Sequence, residues 1–215
     1  MWSGWAERLA TDLERTTGRA LREPLFSMLG YDADSGRAHA GGGLSATPMA
    51  RLRDLTETTL VAEGLPRVDA RAALDVAWHS PDPVTLAHPL TDLRALLGGL
   101  RASGRRIAIV TSDDRDPTIR TLEALGIAGA VDAIACADDG IATKPAPDAV
   151  RHVCALLGVD PSRTAVVGDA PADLAMGRAA GVGLVIGVRT GVGTDADLRV
   201  ADRILDSVAD LLPAG

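Results

Sequence analysis

Ala165-Val166-Val167-Gly168-Asp169-Ala170-Pro171-Ala172-Asp173 decides how this chain is read. An apolar run breaks at Gly-Asp, and a second Asp follows four residues later. The pattern predicts a buried strand feeding an acidic loop. In a parallel α/β sheet such a loop lies at the carboxyl ends of the strands, where ligands bind. Two carboxylates held there, Asp169 and Asp173, suit a hard cation such as Mg2+, which takes oxygen ligands and helps hold a phosphate.

Outward from this stretch the pattern alternates, as an α/β fold requires. From Pro89 on, the expected order is a helix (90–102), a strand (106–111), a helix after Asp116-Pro117, and a strand (131–136). A helix (147–157), the strand 164–168, a helix (171–180), a strand (183–188) and a short strand near Ile204 follow. Asp116 reads as an N-cap and Pro117 as the first helical residue, while Gly126, Gly158 and Gly181 mark helix ends. Residues 1 to about 80 read as helical, with no convincing strand. Trp2, Trp5, Leu9 and Leu13 recur at helical spacing behind a Ser3 cap, and further helices are expected over 48–63 and 69–79. Gly30 to Pro48 reads as a loop, and Pro81-Asp82-Pro83 as a linker. The expected domains are 1–85 and 86–215.

Composition narrows the class. The 215 residues suffice for a sizeable core, but only 2% are aromatic, so Ala, Val, Leu and Ile must build it. A net charge of -7 argues against nucleic acid or an anionic membrane as the partner, though a local site in an acidic protein can still take an anionic small molecule. Cys136 and Cys154 lack metal or redox spacing and read as buried thiols of a reducing compartment. Neither a secretion signal nor an apolar run of membrane length is evident, so the expected location is cytoplasmic. His39, His79, His88 and His152 are isolated and read as surface or packing residues.

Three segments carry chemistry. Thr111 and Ser112 end the apolar run Ile107-Ala108-Ile109-Val110, where hydroxyls and backbone N–H groups can take phosphate oxygens. Lys144 opens Lys144-Pro145-Ala146-Pro147, placed to neutralise charge on a transferring phosphoryl group. Asp169 and Asp173 complete the set. Each has a plainer explanation: a strand end, a solvated lysine, a turn acid and a helix-start acid favoured by the dipole.

In this order, each at a strand-to-helix junction, the segments resemble the haloacid dehalogenase-like superfamily of phosphatases. The match covers its second (107–112), third (144–147) and fourth (168–173) motifs. Phe26 to Gly36 and Gly187 to Gly193 resemble segments of a phosphoglycolate-phosphatase-like branch. The resemblance implies a Rossmann-like parallel-sheet core with a helical cap formed by the first third of the chain. It also implies Mg2+-dependent hydrolysis of a small phosphorylated metabolite through an aspartyl-phosphate. Thr111 or Ser112 would then hold phosphoryl oxygens, and Lys144 would neutralise charge on nucleophile and phosphate. Asp169 would bind Mg2+, and Asp173 would bind it or orient Lys144 or a water, so that Lys144 and Asp173 count as catalytic.

The superfamily's first motif, an Asp-x-Asp nucleophile ending a central strand, has no counterpart here. The sequence opens at Met1-Trp2-Ser3-Gly4-Trp5, already within what resembles the helix after that motif. Asp32-Ala33-Asp34 has the right letters but lacks the strand context, and reads as a polar turn. Asp113 and Asp114 lie beside Thr111 in a different loop and read as substrate-loop residues. The expectation is therefore a core lacking its first strand, with two open edges, completed by an upstream segment, a homodimer or a strand-donating partner. Alternatives are a non-catalytic protein that binds a phosphorylated ligand or partner, and another reaction on the same scaffold, such as dehalogenation or phosphosugar mutation.

Overall fold

The computed structural model describes residues 3–212. Trp2 and the side chain of Ser3 lie outside what is described. The chain divides into two compact units, Met1–Asp82 and Pro83–Gly215.

The first unit is helical because its leucines recur on one face of each helix. It comprises α1 (Ser3–Thr17), α2 (Arg22–Leu29), a short α3 (Gly43–Ala46), α4 (Met49–Ala62) and α5 (Arg67–Ala77). Leu9 and Leu13 of α1, Leu25 and Leu29 of α2, Leu60 of α4 and Leu74 of α5 are completely buried in one cluster. Each such side chain contributes about 1.5–3 kcal/mol. Trp5 stacks edge-on against Trp78 at 5.3 Å and donates its indole N–H to the carbonyl of His79 (2.7 Å). Phe26 meets Tyr31 edge-on at 4.8 Å.

The expected loop 30–48 holds more structure than its composition suggests. Tyr31–Asp32 (β1) and Arg37–Ala38 (β2) form a small antiparallel hairpin. Asp32-Ala33-Asp34 lies in its turn, where Asp32 Oδ1 accepts from the N–H groups of Asp34 (2.9 Å) and Ser35 (3.1 Å). Two-residue strands leave no hydrophobic alternation to read, which is why the pairing escapes a sequence pattern.

The second unit opens with α6 (Pro83–Leu86), which starts at the last residue of the expected linker, and α7 (Leu93–Ala102), whose cap is Asp92 accepting from Ala95 N–H (3.0 Å). Then come β3 (Ala108–Val110), α8 (Arg115–Ala124), β4 (Ala133–Ala135), α9 (Asp148–Leu157), β5 (Ala165–Gly168) and α10 (Pro171–Ala180). The unit closes with β6 (Leu184–Val188), α11 (Asp195–Leu198) and β7 (Arg203–Leu205). α8 starts earlier than expected: its N-cap is Asp114, and Pro117 sits inside the first turn. The first turn's N–H groups have no acceptor within the helix, so proline is tolerated there. Gly158 and Gly181 end α9 and α10 in the left-handed conformation that glycine adopts without strain.

Every strand ladder of this unit is parallel, but the ladders form two sheets. β3 pairs with β4, and β5 pairs with β6, which pairs with β7. Both β3 and β5 therefore keep one edge unpaired among the described residues. One apolar layer spans both sheets, joining Ala108, Val110 and Ala135 to Val166, Met176 and Ala180. The strand expected to be buried at 165–168 is so only in part. Ala165 and Val167 are exposed (Val167 37%), while Gly168 is buried. Burial in a parallel sheet needs cover on both faces, and β5 lies at the border of its sheet. No helix among the described residues is long and apolar enough to cross a membrane.

Candidate active site

The predicted residues gather at the carboxyl ends of β3, β4 and β5. Hydrogen bonding at the end of β3 positions Thr111. Its N–H donates to Ala135 O (3.0 Å), its hydroxyl donates to Asp113 Oδ2 (2.9 Å), and the hydroxyl oxygen accepts from Asp113 N–H (3.0 Å). Asp113 is thus the groups' local partner, an arrangement that needs only a Thr and an Asp two residues apart. A small cleft lies beside it, lined by Val110, Thr111, Ser112, Cys136, Thr143 and Lys144.

Lys144 comes from the loop after β4, where a cis bond joins it to Pro145. Its ammonium donates to Asp173 Oδ1 (2.8 Å) and reaches Val110 O at 3.4 Å. Both side chains are largely buried, at 16% and 12% exposure. Asp173 belongs to the first turn of α10, and its Oδ2 accepts from Ala170 N–H (3.1 Å), closing the start of that helix. The bland and functional roles of Asp173 thus coincide, since one oxygen caps the helix while the other fixes the lysine. Close packing also requires Gly168, because a Cβ there would lie 2.2 Å from the Asp173 Cβ.

Asp169 stands at the tip of β5, half-buried, with Oδ2 accepting from Val192 N–H (2.8 Å). The structure brings Lys144 and Asp173 together and places Thr111 and Ser112 in the same cleft as Lys144. Asp169 is tied instead to the loop after β6. Among the described residues no three His, Cys, Asp or Glu side chains gather as a metal set. The donors still suit Mg2+ in its usual sparse form, with one or two protein carboxylates and the other positions left to water and phosphate.

Sequence reasoning missed the brace beneath the cleft. Arg115 makes a two-point bond to Asp139 (2.8 and 2.6 Å) and donates to Ile134 O (3.1 Å), locking the start of α8 to β4 and the loop after it. The Arg115 guanidinium holds the Asp139 carboxyl below its ordinary range. Burial, helped by Asp138 and Asp113, pushes Asp114 up, and burial also raises the Cys136 thiol. Cys136 and Cys154 are both free and buried. Asp138-Asp139 twenty-odd residues after Arg115 gave no periodic signal, so only the fold reveals the pairing.

A family model described as haloacid dehalogenase-like hydrolase matches residues 39–181, from the hairpin region through α10. The chain belongs to the haloacid dehalogenase-like hydrolase family. Its relatives include a phosphoglycolate phosphatase of Rhodospirillum rubrum, 34% identical over 140 residues, covering 61% of this chain and 58% of that protein. A plasmid-borne phosphoglycolate phosphatase of Cupriavidus necator is 33% identical over 168 residues, covering 76% of this chain and 70% of that protein. Against the first, the chain accounts for somewhat over half of the relative's length. The fold agrees with a solved structure described as a predicted phosphoglycolate phosphatase from Haemophilus somnus. That likeness has a TM-score of 0.64 at 17% identity and covers 96% of this chain and 89% of the other. The likeness supports a haloacid dehalogenase-like architecture, a Rossmann-like α/β core accompanied by helices.

Proposed function

We propose that this chain carries the phosphate-handling residues of a phosphomonoester hydrolase acting on a small phosphorylated metabolite. The observation that carries the reading is the Lys144 ammonium, held between Val110 O and Asp173 in the cleft that Thr111 and Ser112 line. A largely buried cation at strand ends, fixed before any substrate arrives, is the arrangement that stabilises charge on a phosphoryl group. Lys144 neutralises that charge, and Asp173 keeps the ammonium aimed. Thr111 and Ser112 hold phosphoryl oxygens, with Thr111 exchanging its bond to Asp113 for one to the ester. Asp169 is the residue that would hold Mg2+, which supplies charge stabilisation without proton transfer. The relatives named phosphoglycolate phosphatase make small phosphorylated acids the first esters to try. Two buried free thiols fit a reducing, cytoplasmic setting.

Hydrolysis through an aspartyl-phosphate also needs a carboxylate nucleophile beside Lys144. The unpaired edges of β3 and β5 suit an added parallel strand bearing it. Extending the chain with a strand ending in Asp-x-Asp is expected to give Mg2+-dependent release of phosphate, lost in Asp169→Asn. An extended, folded protein inert towards a broad phosphoester panel would overturn the reading.

One observation favours a second reading, a protein that binds a phosphorylated ligand without turnover: both oxygens of Asp173 are engaged within the chain. Calorimetry showing tight phosphoester binding and no phosphate release, in the 215-residue and extended forms alike, would favour it.

A further inference from the structure

The roles above leave unused the loop between β6 and α11, although it closes on Asp169 from several directions. Val192 N–H donates to Asp169 Oδ2 (2.8 Å), and Gly193 N–H donates to the main-chain carbonyl of Asp169 (2.9 Å). The loop lies so close that side chains are excluded at two positions. A Cβ on Gly191 would stand 1.8 Å from Oδ2, and one on Gly193 would stand 2.3 Å from the Asp169 carbonyl oxygen.

Both flanks of the loop are anchored. Before it, Arg189 N–H donates to Leu205 O (3.1 Å), and the Arg189 side chain bridges Asp195 (2.9 Å) and Asp206 (2.6 Å). After it, Thr194 N–H donates to Asp197 Oδ2 (2.9 Å), and Thr194 Oγ1 accepts from Asp197 N–H (3.3 Å), capping α11. The loop is thus stitched down at each end before it touches Asp169.

We propose that Gly191, Val192 and Gly193 are positioning residues that orient the Asp169 carboxylate for a divalent cation. The inference rests on the reading of Asp169 as the residue that holds the metal. A carboxylate bonded to a main-chain N–H through one oxygen has its rotation settled in advance, and the other oxygen is the one left for the ion. Bonds of this kind involve a charged acceptor and are stronger than neutral ones. Partners that orient a metal ligand typically change affinity by about 10- to 100-fold. The two glycines act sterically: a Cβ on Gly191 forces the loop or the Asp169 carboxylate to shift, and one on Gly193 meets the Asp169 main-chain oxygen, so either disturbs the Val192 bond.

Mn2+ binding to the substrate-free 215-residue chain tests this, with unbound ion counted by electron paramagnetic resonance. Gly191→Ala is expected to weaken binding about tenfold or more. Gly98→Ala, where an added Cβ meets nothing within 4 Å, is expected to leave it unchanged. A wild-type chain that binds Mn2+ no better than Gly191→Ala overturns the positioning role alone. A wild-type chain that binds no Mn2+ overturns the metal-holding role of Asp169 and this inference with it. Should Gly191→Ala fail to fold, amide exchange decides instead. Val192 N–H is expected to exchange faster in Asp169→Ala than in wild type, and equal rates would break the proposed tie.

Discussion

The helical unit and the α/β unit bury their apolar residues in opposite ways. In the first, leucines from all five helices meet in one cluster and several reach zero exposure. In the second, the layer that joins the two sheets is made mainly of Ala and Val, and all three residues of β3 remain only half-buried. Helices satisfy their own backbone and need only one apolar stripe covered. Parallel strands leave backbone groups open along any unpaired edge and need cover on both faces. The helical unit therefore completes its core internally, whereas β3 and β5 each retain an edge able to pair with further chain.

That contrast can be broken in stages. The largest effect is expected where burial is complete: Leu9→Ala should cost about 3 kcal/mol in urea unfolding. Val167→Ala on the exposed face of β5 should cost under about 1 kcal/mol. Equal costs would mean that β5 is as enclosed as α1, and the contrast would fail.

A smaller loss is expected at the join between the sheets. Lys144→Ala leaves Asp173 largely buried without its cation, for about 2 kcal/mol. Removing both charges in Lys144→Met with Asp173→Asn should restore part of it. A Lys144→Ala protein as stable as wild type would show that the sheets do not depend on this pair.

The smallest effect sharpens the contrast through pH. Asp139 has its carboxyl depressed in the folded protein by Arg115. The stability it contributes is present above the unfolded carboxylate range, about 3.9, and is lost as pH falls through the lower folded value. Acid unfolding of the second unit, followed by amide exchange in β3 and β4, should therefore lose part of its pH dependence in Asp139→Asn. An unchanged acid profile would remove the brace from the description.

Legibility followed the same divide. Helices with caps and glycine stops were readable to within a few residues: α10 runs from Pro171 to Ala180 as its sequence implies. The meeting of Lys144 with Asp173 was an expectation of two strand-to-helix junctions, whereas Asp169 turns to the loop after β6. What stayed hidden depended on partners distant in the chain. Exposure of Val167 follows from which strands flank β5, and an apolar run looks the same in an edge strand and a central one. The tie from Val192 to Asp169 is made by a main-chain N–H, which no side-chain pattern encodes. Asp113 bonding to Thr111 is local, yet a Thr-Ser-Asp turn gives no hint of which groups bond.

The aromatic residues divide as unevenly as the packing. Trp2, Trp5, Trp78, Tyr31 and Phe26 are the chain's whole aromatic complement, and all fall before Asp82. Near-ultraviolet light therefore reads one unit only. A fluorescence melt will follow the edge-on Trp5–Trp78 pair, while the strands around Lys144 can come apart without an optical signal of their own. The tryptophan-free unit is also the one proposed to meet the substrate, so a tryptophan placed there by mutation would report events at that site as a difference from the emission of the native Trp2, Trp5 and Trp78.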